Sequence, residues 1–314
     1  MKQLFAFFAV ILTFSLGAQT PMWTTHIDTS TTFSSPRPVH LNGDGVLDIV
    51  IGGGLDGTDD DRGVVALDGA TGAVLWEFHT DEEIFASAQF QDITGDGIDD
   101  VFIGGRYAEL YAINGATGAM IWEFFDQPPS QAVDSGWFNF YSAQLIPDQN
   151  SDGFEELLVA NGGNHALPPW DTLRDPGMLM VIDAATGAVM AKDTMPDGEE
   201  TYMSPVVHDF FGSGSLDIIY GSGGENDGGN LYRVKLSQLL LNDLSTSTVL
   251  ATDPDLGFIA PVSLVDITGD NRNDIICQAY DGTVIAINGA TNAQIWSVDN
   301  PGTESSSAAT IGDF

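Results

Sequence analysis

Short apolar runs separated by turns rich in glycine and aspartate fill most of the chain after residue 20. In one such stretch, the pattern predicts strands over 85–89, 101–103, 110–113 and 120–124. The last two runs flank a turn of Asn and Gly residues, which is typical of a β-hairpin. The stretch is therefore predicted to form four antiparallel strands.

This unit recurs along the chain. An acidic stretch begins at positions 40, 92, 148, 209 and 266, and hairpin sequences related to ALDGATGAVLW follow four of the five. The fourth unit instead reads LYRVKLSQLLLNDL, whose middle is compatible with a short helix. Repeats of more than 50 residues with four strands each predict an all-β fold, a β-propeller of four-stranded blades. A parallel β-helix would have a much shorter period.

The two ends of the chain carry separate signals. Lys2 precedes an apolar run over 4–16 and then small residues, so residues 1–19 are predicted to be a secretory signal peptide. An uncleaved anchor is the alternative, although the run is shorter than a membrane span of about 20 residues. The remaining residues, 20–314, are assigned to the propeller.

Register between the repeats suggests that the propeller continues beyond residue 314. Trp23 aligns with the tryptophans of the later hairpins, so we expect the propeller to begin with an orphan fourth strand. Asp313 aligns with the first position of a sixth acidic stretch. The predicted propeller thus has five complete repeats and the start of a sixth, and is incomplete at its C-terminus.

Charge narrows the range of partners. The chain has 9 Lys and Arg residues against 45 Asp and Glu residues, a formal charge of −36. Nucleic acid and anionic membrane surfaces need basic patches and are therefore disfavoured. The excess of acids is explained either by solubility alone or by bound cations. The one cysteine, Cys277, cannot form an intrachain disulfide and lies in an apolar run that is expected to be buried.

The acidic stretches have the spacing of a calcium loop. Oxygen-bearing residues fall at positions 1, 3, 5 and 9, position 7 offers a main-chain carbonyl, and glycine at position 6 permits a sharp turn. Ca²⁺ takes six to eight oxygens in flexible geometry, whereas Mg²⁺ demands a stricter octahedron. No His/Cys pattern suggests zinc. The alternative is an Asp- and Gly-rich turn without metal.

Three loops are expected to bind Ca²⁺, and the other two depart from the pattern. The predicted ligands of the second, third and fifth loops are Asp92, Thr94, Asp96, the Ile98 carbonyl and Asp100; Asp148, Asn150, Asp152, the Phe154 carbonyl and Glu156; and Asp266, Thr268, Asp270, the Arg272 carbonyl and Asp274. The first loop begins with His40, a poor calcium ligand, but keeps Asn42, Asp44, the Val46 carbonyl and Asp48 as candidates. The fourth has Phe211 and Ser213 at positions 3 and 5 and is expected to be empty.

Two resemblances follow from these motifs. The acidic loops followed by apolar residues and Gly-Gly resemble the FG-GAP (VCBS-type) repeats of integrin-α-like propellers. The ALDGATGAVLW hairpins resemble the repeat of pyrroloquinoline-quinone (PQQ) type propellers. The FG-GAP resemblance implies that calcium stiffens the loops and that ligands bind one face of the ring. Neither resemblance implies a particular activity.

Two functions remain open. The first is a secreted, calcium-binding module at the cell surface, outside the cell or in the periplasm, with a cell-surface protein or glycan as partner. Its candidate surfaces are the aromatic insertions 126–142 and 161–177, although these aromatics could merely cover a blade edge. The second is a polysaccharide lyase or hydrolase that uses His165 with Asp171, Arg174 or Glu225. A quinone-dependent dehydrogenase is disfavoured because the adjacent cysteine pair of that family is absent.

Overall fold

The computed structural model describes residues 22–27, 30–55, 60–124, 138–164, 167, 171 and 174–312. Within them, five antiparallel sheets follow one another along the chain. Each has four strands in sequential order, and the third carries one additional short strand. The predicted all-β propeller of four-stranded blades is confirmed. The predicted signal peptide and Asp313 lie outside the described residues.

The strands of the five blades are as follows. The first blade contains β1 (Arg37–Val39), β2 (Asp48–Gly52), β3 (Asp60–Leu67) and β4 (Val74–Thr80). The second contains β5 (Gln89–Gln91), β6 (Asp100–Gly104), β7 (Leu110–Ile113) and β8 (Met120–Glu123). The third contains β9 (Asn139–Phe140), β10 (Gln144–Ile146), β11 (Glu156–Gly162), β12 (Met178–Ile182) and β13 (Val189–Thr194). The fourth contains β14 (Val206–His208), β15 (Asp217–Gly221), β16 (Gly229–Lys235), the helix α1 (Leu236–Leu239) and β17 (Thr248–Asp253). The fifth contains β18 (Ser263–Val265), β19 (Asp274–Gln278), β20 (Val284–Ile287) and β21 (Gln294–Val298).

The strand predictions hold best where a hairpin is local. In the second blade, β6, β7 and β8 lie where the apolar runs predicted them, and the short helix of the fourth blade is α1. The predicted strand over 85–89 is wrong, because β5 pairs with β6 only from Gln89 to Gln91. The residues before β5 instead contact neighbouring blades, as the Ser87 N–H donates to Ser142 Oγ at 2.8 Å.

The hydrophobic core lies between successive blades. One cluster of buried side chains joins the first and second blades through residues such as Val50 and Ile103, and another joins the third and fourth through Leu158 and Tyr220. The second strands of the second and fourth blades, β6 and β15, are buried along their whole length and consist of nearly continuous apolar residues. Burying one such aliphatic side chain contributes about 1.5–3 kcal/mol, so the contacts between blades dominate the stability.

A ladder of serines links the blades where their first strands begin. The Ser35 N–H donates to Ser87 Oγ at 3.1 Å, and Ser142 N–H donates to Ser204 Oγ at 3.1 Å. Together with the Ser87–Ser142 bond, these contacts connect the first four blades in sequence. The small side chain lets adjacent segments approach closely and supplies the acceptor that their main-chain N–H groups need.

Tryptophans join each blade to the hairpin turn of the next. Trp76 Nε1 donates to the Gly115 carbonyl at 2.8 Å, and Trp122 Nε1 donates to the Ala184 carbonyl at 2.8 Å. Trp23 makes the same contact with the first blade, although the described residues 22–27 form no strand. The predicted orphan strand is therefore absent there, while its tryptophan occupies the expected place. Trp296 in β21 remains 40% exposed.

Replacing Trp122 with phenylalanine should destabilise the protein through the loss of its Nε1–carbonyl bond. A typical hydrogen bond contributes about 1 kcal/mol to the free energy of unfolding, and this can be measured by urea denaturation. Trp296→Phe is the matched control, because this exposed side chain has no turn to bond within the described residues. Equal losses in the two variants would contradict the docking role.

Candidate functional site

The acidic loops connect the first and second strands of each blade and are wound by their own side chains. In the second loop, Asp92 accepts N–H bonds from Gly95 at 2.6 Å and Gly97 at 2.9 Å. The bond from Gly97 is the main cause that lowers the pKa of Asp92. Gly97 has φ +88°, a left-handed conformation that glycine adopts without strain. The glycine predicted at position 6 thus has the expected role.

The carboxylate at position 9 is buried at the start of each second strand, and we call these five residues the clamp carboxylates. They are Asp48, Asp100, Glu156, Asp217 and Asp274. Asp100 Oδ2 accepts the N–H groups of Ile93 and Thr94 at 2.9 and 3.0 Å. Its Oδ1 accepts the Gly115 N–H of the hairpin turn at 3.2 Å. The carboxylate therefore fastens the acidic loop to the hairpin of the same blade.

Two other clamp carboxylates make the same two-sided contact. They are Asp48 with the N–H groups of Leu41 and Gly69, and Asp274 with those of Ile267 and Gly289. The turn glycine has to lack a side chain, since a Cβ on Gly115 would lie 1.9 Å from the Asp99 carbonyl oxygen. Sequence reasoning assigned position 9 to metal binding and missed this structural contact.

The third blade changes both partners of this contact. Ala184 occupies the place of the turn glycine, and the clamp carboxylate is the longer Glu156. Glu156 Oε1 accepts the Gln149 N–H at 2.8 Å, whereas Oε2 is buried without a hydrogen-bond partner among the described residues. Burial raises the pKa of Glu156, and the charges of Asp152 and Asp148 raise it further. Glu156 thus carries one buried oxygen without a hydrogen-bond partner among the described residues, and the charges of two further acidic residues act on this carboxylate.

The fourth blade supplies its own positive charge. Arg233 Nη2 and Lys235 Nζ each donate to Asp217 Oδ2 at 2.9 Å. Phe211, which stands at position 3 of this loop, lies with its ring centroid 5.6 Å from the Arg233 guanidinium and 5.1 Å from that of Arg272. Cationic side chains and an aromatic ring therefore occupy the region that acidic side chains line in the neighbouring blades.

The first loop is closed by its histidine. His40 Nδ1 lies 3.1 Å from the Val46 carbonyl oxygen, the group predicted to be the position 7 ligand. Asn42 Nδ2 donates to Asp48 Oδ1 at 3.2 Å, and the Asp44 carboxylate accepts the Val46 N–H at 2.7 Å. The predicted ligands of this loop thus bond one another and His40.

The hairpin turn contributes a polar partner to each intact loop. Asn114 Nδ2 lies 3.1 Å from Asp96 Oδ2 and 3.3 Å from Asp100 Oδ1. In the third blade, Asn150 Nδ2 donates to Asp183 Oδ2 at 3.1 Å. Where position 3 is asparagine the turn residue is aspartate, and where it is threonine the turn residue is asparagine. Comparison of the two repeats in sequence could have revealed this pairing.

The metal prediction is strongest for the third loop. The described residues contain no group of three or more His, Cys, Asp or Glu side chains arranged to hold a metal ion. In the second and fifth loops the clamp oxygens already accept N–H groups. The third loop offers an all-oxygen donor set and the unsatisfied Glu156 Oε2, which suits a hard cation such as Ca²⁺. Calcium binding stays a prediction for all three loops.

A cavity of about 510 Å³ lies at the opposite end of the sheets from the acidic loops. Four of its aromatic walls precede the first strands of successive blades: Phe33, Phe85, Tyr141 and Tyr202. The rings of Phe85 and Tyr141 have centroids 5.3 Å apart, and those of Tyr141 and Tyr202 are 6.1 Å apart. We call this site the axial cavity.

Two ion pairs with buried glutamates border the axial cavity. Arg106 Nε lies 2.8 Å from Glu83 Oε2, and Arg174 Nε lies 2.8 Å from Glu200 Oε2. The Tyr202 hydroxyl donates to Glu200 Oε1. Burial raises the pKa of Glu200, while the Tyr202 bond and the Arg174 charge oppose that rise. The two arginines are thus neutralised by carboxylates of the protein itself.

The structure brings together only part of the catalytic cluster suggested by the sequence. Arg174 and Glu225 both line the axial cavity, whereas His165 lies outside the described residues. Phe138 and Phe140 are buried, Phe140 pairs with Asn161 of β11 and the Phe138 N–H donates to Asn161 Oδ1, so these two aromatics cover a blade edge. Tyr141 lines the cavity instead. Trp137 and Trp170 lie outside the described residues.

Two further sequence expectations concern Cys277 and the membrane. Cys277 is 1% exposed within the apolar cluster between the fourth and fifth blades, and burial raises the pKa of its thiol to about 12. The chain has one cysteine and therefore lacks the adjacent cysteine pair that is expected of a quinone-dependent dehydrogenase. No helix in the described part of the chain is long and apolar enough to cross a membrane.

Asp217→Asn should destabilise the protein by about 3 kcal/mol or more, because removing one partner of a buried ion pair leaves uncompensated charge. The cations left without a carboxylate are those of Arg233 and Lys235. Chemical denaturation measures the loss. Calcium uptake should stay unchanged, and loss of a calcium site in this variant would contradict the idea that cationic side chains replace metal in this blade.

The comparisons with known proteins agree with the fold. BamB from Moraxella catarrhalis superposes with a TM-score of 0.48 at 18% identity, over 86% of this chain and 65% of that chain. The quinohemoprotein alcohol dehydrogenase ADHIIG from Pseudomonas putida HK5 gives 0.56 at 14% identity, over 88% and 43%. The exotype rhamnogalacturonan lyase YesX gives 0.54 at 15% identity, over 86% and 49%. The chain thus spans less than two thirds of each of these proteins.

At these low identities the superpositions on the dehydrogenase and the lyase show a shared fold alone, and no argument rests on the superposition on BamB, whose TM-score is below 0.5. A search of curated proteins gives no significant match. A family profile described as outer membrane protein assembly factor BamB matches residues 23–264, more than half of the chain. The resemblance of the hairpins to PQQ-type repeats is thereby confirmed, whereas the FG-GAP resemblance stays a prediction. The chain belongs to the family of PQQ-type repeat propellers described as outer membrane protein assembly factor BamB.

Proposed function

We propose that the protein is a calcium-stabilised binding propeller that works outside the cytoplasm and recognises a cell-surface protein or glycan through the axial cavity. The observation that carries this proposal is the pairing of charges at the cavity, where Arg106 and Arg174 are each neutralised by a buried glutamate. Paired groups are fixed in position and suit recognition. A general acid or base needs a proton-transfer group that is available to the substrate.

The place of action is proposed from two features. The N-terminal sequence has the pattern of a secretory signal, and the family description refers to outer membrane protein assembly. A charge of −36 keeps the protein away from anionic lipid surfaces unless cations intervene. We therefore propose a cell-surface protein or glycan as the ligand, in the periplasm or at the cell surface.

The calcium part of the proposal rests on the third loop. Its buried Glu156 Oε2 lacks a partner, and the acidic residues at positions 1 and 5 add negative charge beside it. A cation there would satisfy the orphaned oxygen and relieve the repulsion. The residues that would hold it are Asp148, Asn150, Asp152, the Phe154 carbonyl and Glu156. The second and fifth loops would bind Ca²⁺ more weakly. A stiffening of the loops by calcium is what the FG-GAP resemblance implies.

A polysaccharide lyase or hydrolase is the second candidate. Glu200 has a raised pKa, bonds the Tyr202 hydroxyl and faces Arg174 at the axial cavity, a set of groups that could exchange protons with a sugar. The likeness to the rhamnogalacturonan lyase YesX is a likeness of fold alone. Under this candidate, Glu200→Gln would abolish turnover of a polysaccharide.

Binding of the fluorescently labelled protein to isolated bacterial outer membranes tests the proposed function. We expect saturable binding without release of sugar fragments. Because the wild type is expected to have no turnover, Glu200→Gln should cause no loss of turnover. Absence of saturable binding would contradict the proposed binding function. Fragment release by the wild type that Glu200→Gln abolishes would favour the enzyme.

Calcium should raise the melting temperature, because it binds the folded loops and not the unfolded chain. At free Ca²⁺ of 100 times the dissociation constant, one site contributes about 2.7 kcal/mol. Glu156→Gln should remove most of this gain, as measured by calorimetry in Ca²⁺ and in EDTA. Asp209→Asn in the fourth loop is the matched control and should keep it. Identical melting curves for the wild type in Ca²⁺ and EDTA would refute calcium stabilisation.

A further inference from the structure

We infer that the axial cavity binds an uncharged sugar ring of a glycan. This inference rests on the proposed binding function and names the chemical class of its ligand. A volume of about 510 Å³ lies within the range of small-molecule sites. Three features of the cavity, namely its aromatic walls, its fixed ion pairs and the exposed carboxylate of Glu225, favour this ligand over an anionic one.

The aromatic walls present apolar faces to the cavity. Phe33 lines the same cavity as Phe85 and Tyr202 and is 81% exposed. Exposure of an apolar phenyl ring to water is unfavourable, so a ligand that covers the ring would be stabilised. The C–H face of a pyranose ring is a flat apolar surface that packs on such rings. Aromatic side chains that come from successive blades can therefore hold one sugar between them without a change of fold.

The ion pairs place fixed polar side chains at the cavity wall. Arg174 and Glu200 have only 8% and 4% of their side-chain surface exposed and lie 2.8 Å apart, so both are held in place before a ligand arrives. Adjacent hydroxyl groups of a sugar both donate and accept hydrogen bonds. An arginine–carboxylate pair at a cavity wall matches that pattern, and its rigidity reduces the entropy lost on binding.

The charge of the site selects against anions. Each buried glutamate at the cavity is compensated by an arginine, so this part of the site carries no net charge for an ion to neutralise. Glu225 at the cavity is exposed and, with the overall charge of −36, repels anions. A uronic acid or a sulfated sugar is therefore a worse ligand than a neutral one.

Isothermal titration of the full chain in Ca²⁺ tests this inference. The probes are neutral cello-, manno- and galacto-oligosaccharides, an oligogalacturonate and choline. We expect at least one neutral oligosaccharide to bind and the oligogalacturonate to bind at least tenfold more weakly. Phe33→Ala should weaken the neutral ligand by roughly threefold to tenfold through loss of an aromatic contact. Leu241→Ala, at a residue 70% exposed on the fourth blade, should change neither affinity nor melting temperature.

Several outcomes overturn the inference. They are binding of no neutral oligosaccharide, preference for oligogalacturonate or choline, or equal affinity of Phe33→Ala and Leu241→Ala. Outer membranes treated with periodate, which cleaves sugar diols, separate this inference from the proposed function. Binding that survives periodate but not protease would leave the binding function standing with a protein partner and would remove the glycan.

Discussion

The buried carboxylate at the start of each second strand is the interaction on which the rest of the structure depends. In three blades an aspartate accepts main-chain N–H groups from both the acidic loop and the hairpin turn. A buried carboxylate is costly unless each oxygen is satisfied, and these N–H groups meet that requirement. The turn that it holds is also the turn on which the tryptophan of the preceding blade docks, as Gly115 shows with Trp76. One contact therefore fixes a blade internally and presents its surface to the neighbouring blade.

The blades solve the same electrostatic problem in different ways. In the first, second and fifth blades, main-chain N–H groups satisfy the clamp aspartate. In the fourth blade Arg233 and Lys235 compensate Asp217, and in the third blade Glu156 Oε2 stays without a partner among the described residues. The first loop adds His40 against the Val46 carbonyl. Metal dependence need not be uniform among repeats of similar sequence. We therefore propose that the loop end of the sheets serves stability and that the opposite end, with its axial cavity, serves recognition.

The sequence was informative where the structure is set by neighbours in the chain. Apolar runs around an Asn- or Asp-Gly turn predicted β6, β7 and β8, because a hairpin depends on local turn chemistry and alternation. The start of β5 was misplaced because residues 85–88 are bound by other blades, as Ser87 is by Ser142. The axial cavity was not predicted for the same reason, since Phe33 and Tyr202 are far apart in sequence. The spacing of acids did predict the loops, but the same spacing serves both a metal ligand and a main-chain clamp.

We propose that the exchange of aspartate and glycine for Glu156 and Ala184 makes the third blade depend on calcium. The most direct test converts this blade to the pattern of its neighbours with the double variant Glu156→Asp, Ala184→Gly, and measures its melting temperature in EDTA and in Ca²⁺ against each single variant. The account predicts that the double variant melts in EDTA at or above the wild type and has lost most of the calcium-dependent rise. A double variant that melts below both single variants in EDTA, or that keeps the full rise in Ca²⁺, would contradict it.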